Sequence, residues 1–371
     1  MPHRWRHPGV LAVIGLIGAA GLSACSTPAA GDDDGGRPLV GVAMPTTASE
    51  RWIADGENVQ TQLEALAYRV DLRYAEDDVP TQIDQLEEMI AEGADALVIG
   101  SIDGVALKGV LAEAAAADIP VIAYDRLIRE SGDVDYYASF DNARVGVQQA
   151  TTLLQGLGLV DAAGEPTGVT GPFTIELFAG SADDNNATVF YDGAMQVLQP
   201  YLDAGTLVVG SGQTAFDQIA TERWDPEVAA TRMAELMPRY TGDTRLAGVL
   251  SPYDGISIAV LEAATAAGYG SADRPLPVVT GQDAELASAK SVAAGEQYAT
   301  IFKDTRQLAE VAVQMVHDLI RGVQPEVNDT TSYDNGVTVV PAYLLAPQVV
   351  TEENLTAVLV DGGTYTAQEL S

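Results

Sequence analysis

The stretch LVGVAM at residues 39–44 decides the fold class. A continuous apolar run of this length is typical of a β-strand that is covered on both of its faces. A helical apolar spacing follows at residues 53–68, and the next continuous apolar runs are ALVIG at 96–100 and VIAY at 121–124. Buried strands that alternate with helices predict a parallel sheet with helices packed on both faces.

The same alternation of strands and helices begins again in the second half of the chain. Two series of similar size predict two similar lobes. The predicted fold class is therefore α/β, with two doubly wound parallel-sheet lobes joined by a hinge. The second series has strand-like runs at 173–178, 207–209, 246–250, 277–280 and 299–302, and helical spacings at 191–202, 226–237, 256–267 and 304–321.

The N-terminal residues predict export and attachment to a lipid. Two arginines precede an apolar run at residues 10–22, which ends in the sequence LSAC at 22–25. A basic start, a short apolar run and small residues before a cleavage site are typical of a secretory signal, here residues 1–24. The thiol that follows resembles a bacterial lipobox, which implies lipidation of Cys25. We expect an extracytoplasmic protein that is lipid-anchored to the cell membrane through a flexible tether at 25–37; a signal-anchor helix is the alternative.

The composition excludes several classes of function. The 371 residues include 19 Lys and Arg against 53 Asp and Glu, a net charge of −34, so we predict no nucleic-acid partner. Once the predicted signal is removed, His317 is the one remaining histidine and Cys25 the one cysteine. A histidine-based catalytic triad, a zinc site and a thiol nucleophile are therefore disfavoured. We predict neither a metal site nor a cofactor.

Charged and aromatic side chains gather directly after the predicted strands. The carboxyl ends of the strands in open α/β sheets are where ligands bind. The candidate binding residues are Arg51, Trp52, Asp125, Arg126, Asn186, Trp224, Tyr253, Asp254, Asp283 and Lys303.

The two tryptophans of this set, Trp52 and Trp224, fall in different predicted lobes. A sugar ring has apolar C–H faces and a rim of hydroxyl groups. Two indoles supply flat surfaces for the faces, while carboxylates, amides and cationic groups supply hydrogen-bond partners for the rim. Structural alternatives remain open: a core or surface anchor for the tryptophans, a surface ion pair for Asp125 and Arg126, and a solvated charge for Lys303. Tyr253 and Asp254 are alternatively an aromatic lid and a helix cap, and Asp183 is favoured as a helix N-cap over Asn185.

Several ordered blocks of sequence strengthen this interpretation. The chain resembles the periplasmic monosaccharide-binding proteins of ABC importers, above all the xylose, galactose/glucose and multiple-monosaccharide binders. The blocks are SERWIADG (49–56), VIAYDRLI (121–128), GSADDNNA (180–187), RWDPEVA (223–229), SPYDGISI (251–258), GQDAE (281–285) and GEQYATIFKDT (295–305).

The resemblance implies a role for each candidate residue. Trp52 and Trp224 match the aromatic partners of the two sugar faces. Tyr253 departs from the pattern, because the xylose and galactose binders usually carry Asn there; we expect Asp254 or the phenol hydroxyl to compensate. The calcium loop of the galactose/glucose binder has no counterpart here. The remaining polar contacts are implied at Arg51, Asp125 and Arg126 in the first lobe, and at Asn186, Asp283 and Lys303 in the second.

The resemblance also implies how the chain divides. The N-terminal lobe takes residues 38–140 and 305–325, and the C-terminal lobe with hinge segments takes 141–304 and 326–371. Three connecting segments form the hinge. We expect a monomer.

These features predict a binding protein that closes around a monosaccharide and delivers it to ABC permease subunits. A ligand that touches both lobes favours the closed form by its differential affinity. One alternative is a sugar sensor that feeds a chemoreceptor or kinase. A carboxylate-based glycoside hydrolase is disfavoured, because the carboxylates lie beside Arg and Lys, which lower the pKa of a proton donor.

Overall fold

Two parallel β-sheets organise the chain in the computed structural model, which describes residues 36–371. The predicted signal peptide, the lipidation site at Cys25 and most of the tether lie outside the described residues. The first sheet has the strand order β11-β5-β4-β3-β1-β2. Its parallel strands are β1 (Leu39–Met44), β2 (Arg69–Tyr74), β3 (Ala96–Ile99), β4 (Val121–Tyr124), β5 (Tyr136–Phe140) and β11 (Ala342–Leu345).

Helices cover both faces of the first sheet. Along β1, Val40 and Val42 pack into the cluster that contains α1 and α10, whereas Ala43 packs into the cluster on the opposite face with α2 and α3. At Gly41, a Cβ atom would lie 2.7 Å from the side chains of both Leu97 and Met89, so any other residue there would require these side chains to shift. These helices are α1 (Glu50–Ala65), α2 (Val79–Ala91), α3 (Lys108–Ala116) and α10 (Thr305–Ile320).

The second sheet has four parallel strands in the order β7-β6-β8-β9, with a separate antiparallel pair of β10 and β12. The strands are β6 (Phe173–Leu177), β7 (Leu207–Val209), β8 (Gly248–Leu250), β9 (Val278–Val279), β10 (Ala299–Phe302) and β12 (Gln348–Thr351). The helices are α4 (Asn142–Gly156), α5 (Asn185–Asp203), α6 (Phe216–Ile219), α7 (Pro226–Leu236), α8 (Asp254–Ala266) and α9 (Leu286–Ala293). The α/β class with parallel sheets that the sequence predicts is confirmed.

The C-terminal tail divides between the first sheet and the separate β10–β12 pair, which corrects part of the predicted assignment of residues 326–371. Strand β11 pairs with β5 of the first sheet, whereas β12 pairs with β10. Tyr333, Val340 and Ala342 pack into the core of the first sheet. The sequence of the tail does not reveal these strand pairings, because pairing depends on tertiary contacts.

Candidate functional site

A cavity of about 620 Å³ lies where the loops after the strands of both sheets meet. All of the predicted binding residues except Asp254 line it. We call the lining residues that follow strands of the first sheet the first wall, and those that follow the later strands the second wall. The first wall includes Ser49, Arg51, Trp52, Asp125 and Arg126, and the second wall includes Asn186, Phe190, Trp224, Tyr253, Gln282, Asp283 and Lys303.

Arg51 and Lys303 bind the same two carboxylates and so connect the walls. Arg51 Nη2 lies 2.5 Å from Asp125 Oδ1, and Arg51 Nη1 lies 3.7 Å from Asp283 Oδ1. Lys303 Nζ lies 3.5 Å from Asp125 Oδ1 and 3.3 Å from Asp283 Oδ1. Because the Lys303 side chain is only 1% exposed, its charge needs these partners.

Two buried carboxyl groups near this network, Asp125 and Asp55, have pKa values shifted in opposite directions. Burial by itself raises the pKa of Asp125, but the charges of Arg51 and Lys303 outweigh it and lower the pKa below its ordinary value. Burial raises the pKa of Asp55 to about 7, although Arg51 Nε lies 3.0 Å away. Asp125 is therefore an ionised hydrogen-bond acceptor at neutral pH, while Asp55 is divided between its two protonation states.

Asn186 uses its side chain to hold Asp125. Its Nδ2 donates to the Asp125 carbonyl oxygen at 2.9 Å, and its Oδ1 accepts from Asn142 Nδ2 at 2.9 Å and from the Tyr137 hydroxyl at 3.2 Å. The backbone of Asp125 has a φ of 59°, in the left-handed region. Asn186 thus lines the cavity and also fixes a strained residue of the opposite wall.

The start of α5 is fixed by Asp184 and not by Asp183, the N-cap that the sequence favours. Asp184 Oδ1 accepts from the backbone N–H of Asn186 at 2.9 Å, and Asp184 Oδ2 lies 3.0 Å from Arg126 Nε. Burial raises the pKa of Asp184 despite the charge of Arg126. The cap therefore also connects the second series of elements to Arg126 of the first wall.

The aromatic side chains differ between the walls. Trp52 is 5% exposed, and the guanidinium carbons of Arg51 and Arg126 lie 4.9 and 5.2 Å from its ring centroid. Trp224 is half-buried and meets Phe190 and Tyr253 edge-to-face, each with centroids 6.3 Å apart. The guanidinium groups of Arg51 and Arg126 thus pack on the Trp52 indole, whereas the Trp224 indole leaves more of its surface available to a ligand.

Glycine at position 180 lets the Trp224 indole lie against the backbone. A Cβ atom there would lie 2.0 Å from the indole ring. The segment that carries the indole is itself strained, because Arg223 and Trp224 have φ angles of 54° and 59°. Asp283 of the same wall has a φ of 93°. Such strain persists where surrounding contacts impose it, and it clusters at ligand sites.

Asp254 does not reach the cavity, which corrects its prediction as a binding residue. It is fully buried and accepts hydrogen bonds from Thr300 Oγ1 at 2.9 Å, from Gln297 Nε2 at 3.1 Å and from the Glu285 backbone N–H at 3.0 Å. Burial raises the pKa of Asp254 well above its ordinary value. Asp254 fixes the loops behind the second wall.

Tyr253 lines the cavity, but its hydroxyl is already engaged. It donates to Glu285 Oε1 and Oε2, at 2.9 and 3.1 Å. The proton of the Tyr253 hydroxyl is therefore committed to Glu285, and Asp254 does not take the place of the expected Asn in the cavity.

The sequence reasoning missed Gln282 and Phe190, which also line the cavity. Gln282 is 3% exposed, and its Oε1 is buried without a hydrogen-bond partner. The Nε1 of Trp224 is also buried and unpartnered. The position of Gln282, next to Asp283 in the block GQDAE, was the available signal. Unpartnered buried polar atoms that line a cavity indicate bonds to a ligand.

The chemistry of the cavity is that of binding a small molecule with a polar rim. It combines an ionised acceptor, cationic donors, unpartnered polar atoms and aromatic surfaces. Across residues 36–371, no cluster of three or more His, Cys, Asp or Glu side chains is placed to hold a metal ion. Within the same range, no helix has the length and apolar character needed to span a membrane.

The part of the chain that matches known proteins includes all the residues that line the cavity. A family model described as a periplasmic binding protein domain matches residues 40–324, which contain every predicted binding residue. The multiple sugar-binding periplasmic receptor ChvE of Rhizobium radiobacter is 54% identical over 360 residues, 96% of this chain and 99% of that protein. The D-xylose-binding periplasmic protein of Escherichia coli (strain K12) is 33% identical over 331 residues, 89% of this chain and 92% of that protein. An ABC transporter solute-binding protein from Clostridium phytofermentans, solved with bound β-D-glucose, has a TM-score of 0.84 and 46% identity, and the match covers 90% of this chain and all of that one.

Proposed function

The chain belongs to the periplasmic binding protein family, and from this premise we propose that it binds a monosaccharide between its two walls and delivers it to an ABC permease. The family that the sequence predicts is confirmed. The prediction of a binding protein and not an enzyme is confirmed too, because the matched relatives are sugar-binding periplasmic proteins. Proteins of this family work outside the cytoplasm, in agreement with the predicted export.

One observation carries the proposed ligand class. The ionised carboxylate of Asp125 lies between Arg51 and Lys303, and the Trp224 indole forms part of the opposite wall of the same cavity. A pyranose fits such a combination, because its hydroxyl groups form their strongest bonds to charged donors and acceptors while its C–H face packs on an aromatic surface.

Charge-assisted hydrogen bonds supply a large part of the expected affinity. A hydrogen bond to a charged group contributes about 1.5–3 kcal/mol. Three such bonds contribute about 4.5–9 kcal/mol, which is comparable with the ~8 kcal/mol of a micromolar Kd before the ordering costs of binding are subtracted.

We propose that the walls close on the ligand as two lobes: 38–140 with 305–325 and the tail up to the end of β11, and 141–304 with the tail after β11. The packing of α10 against the first sheet supports this division. A sugar that touches both walls stabilises the closed arrangement by its difference in affinity for the two forms. Delivery to an ABC permease is supported by the Clostridium phytofermentans relative, which is described as a transporter component.

We also propose that Cys25 carries the lipid that anchors the protein. A chain with Cys25→Ser should leave the membrane fraction and lose labelling by radioactive palmitate. Retention of both in this variant would contradict the anchor without bearing on the sugar site.

A thermal-shift screen tests the sugar proposal. D-glucose, D-galactose, D-xylose and L-arabinose are added to the wild type, and binding to the native form raises the Tm by several degrees at saturation. Trp224→Ala should abolish the shift, whereas Tyr298→Ala, an aromatic that is 36% exposed outside the cavity, should keep it. A wild type that none of these sugars stabilises would contradict the proposal.

A further inference from the structure

The carboxyl group of Glu285 joins two side chains that line the cavity from opposite walls. Ser49 Oγ donates to Glu285 Oε1 at 2.7 Å. The Tyr253 hydroxyl donates to the same carboxyl, at 2.9 Å to Oε1. Ser49 and Tyr253 are cavity-lining residues, whereas Glu285 lies behind them. One carboxyl therefore fixes both sides of the cavity without facing the cavity itself.

The Ser49 contact is the long-range one. Ser49 directly precedes α1 of the first sheet, and Glu285 lies 236 residues later, directly before α9. Ser49 occupies the N-cap position of α1, but its side chain makes no capping hydrogen bond. Its hydroxyl thus binds Glu285 and does not cap its own helix.

Tyr253 connects Glu285 to Trp224, the aromatic surface of the second wall. Its ring meets the Trp224 indole edge-to-face, and its hydroxyl is held by Glu285. The position of the Trp224 surface thus depends on the carboxyl behind Tyr253.

We propose that Glu285 is a positioning residue, and that the chain Ser49–Glu285–Tyr253 is a latch that holds the two walls together and slows release of the sugar. This inference rests on the proposed function. A contact made across the walls in the closed form adds to the differential affinity that closure requires. Its loss therefore raises the dissociation rate more than it lowers the association rate.

The groups around Glu285 are acidic or phenolic. Asp283 and Glu50 face it with negative charge, Asp254 binds its backbone N–H, and Tyr365 lies near its loop. Burial raises the pKa of Glu285 to about 7, with Asp283 acting in the same direction and the bonds from Ser49 and Tyr253 opposing it.

The raised pKa gives the latch a pH dependence with a defined sign. Between the ordinary pKa of a glutamate in water and 7, the closed form holds more protons than a form that exposes Glu285 to water. Closure is then favoured at lower pH, and the Kd for a sugar rises as the pH approaches 7. Glu285→Gln keeps an acceptor and a donor in place but removes the titration.

The test compares Ser49→Ala with Thr47→Ala in stopped-flow and calorimetric binding of D-glucose. Thr47 is the matched control, because its hydroxyl also binds a carboxylate, Glu76, but within the first-sheet loops. Ser49→Ala should raise the dissociation rate about five- to tenfold with little change in the association rate. Thr47→Ala should leave both rates unchanged. The wild type should lose affinity from pH 5.5 to 7 more steeply than Glu285→Gln.

The outcomes separate the latch from the function on which it rests. Binding of D-glucose by the wild type, with equal dissociation rates in Ser49→Ala and Thr47→Ala, would overturn the latch alone. Parallel pH profiles for the wild type and Glu285→Gln would overturn its titration. A wild type that binds none of the four sugars of the thermal-shift screen would overturn the proposed function, and the latch with it.

Discussion

The two walls of the cavity use their polar groups differently. In the first wall, Arg51 and Asp125 bind each other, and Arg126 binds Asp184. In the second wall, Trp224 Nε1 and Gln282 Oε1 have no hydrogen-bond partner. The charged groups of the first wall are therefore all held in ion pairs, while the second wall also keeps polar atoms available for a ligand.

This difference assigns different consequences to substitutions in the two walls. A change in the first wall breaks a buried charge network and should affect both folding and binding. A change at Gln282 of the second wall removes a polar atom that the fold does not use, so it should affect binding alone.

Asp125→Asn should have the largest effect. It removes the charge of one of the two carboxylates that Arg51 and Lys303 share, which costs about 3–5 kcal/mol of folding free energy. Urea unfolding measures the loss, and calorimetry with D-glucose should show no binding. The control Asp71→Asn removes a surface ion pair with Arg73 on β2 and should change stability by about 1 kcal/mol or less. Equal stabilities for the two variants would remove the distinction between the walls.

Gln282→Leu should have a smaller and purely functional effect. Its Oε1 makes no bond within the protein, so the variant should unfold at the same urea concentration as the wild type. Loss of one ligand hydrogen bond should raise the Kd for D-glucose about three- to tenfold. A clear loss of stability with unchanged affinity would mean that Gln282 serves the fold and not the ligand.

The smallest expected effect is on the pH dependence of stability. It reports the titration of Asp55, which lies behind the first wall. Because its native pKa is raised to about 7, the folded form binds more protons than the unfolded form from about pH 4 to 7. Its contribution therefore favours the fold at low pH and is lost as the pH rises, by about 1 kcal/mol between pH 6 and 7. Urea midpoints of the wild type and Asp55→Asn across this window should diverge. Identical pH slopes would show that Asp55 does not titrate there.

The sequence predicts most of the cavity, because apolar runs such as LVGVAM reveal the strands and ligand-binding side chains follow strand ends. It does not distinguish Tyr253, whose ring lines the cavity, from its neighbour Asp254, which points into the interior. The partners that hold Asp254, Gln297 and Thr300, lie 43 and 46 residues away. Side-chain direction at a helix start depends on such distant partners.

The pairing of β11 and the engagement of the Tyr253 hydroxyl escaped prediction for the same reason. Each depends on contacts between segments far apart in the chain: β11 with β5, and Tyr253 with Glu285. Local pattern reports which residues are buried or follow a strand, but not which distant group they meet.

A crystal structure grown with D-glucose tests the central claim most directly. We predict one pyranose in the cavity, hydrogen-bonded to Asp125 of the first wall and to Asp283 or Lys303 of the second, with a C–H face against Trp224. A sugar that contacts one wall only, or that lies outside this cavity, would contradict the claim that both walls bind it together.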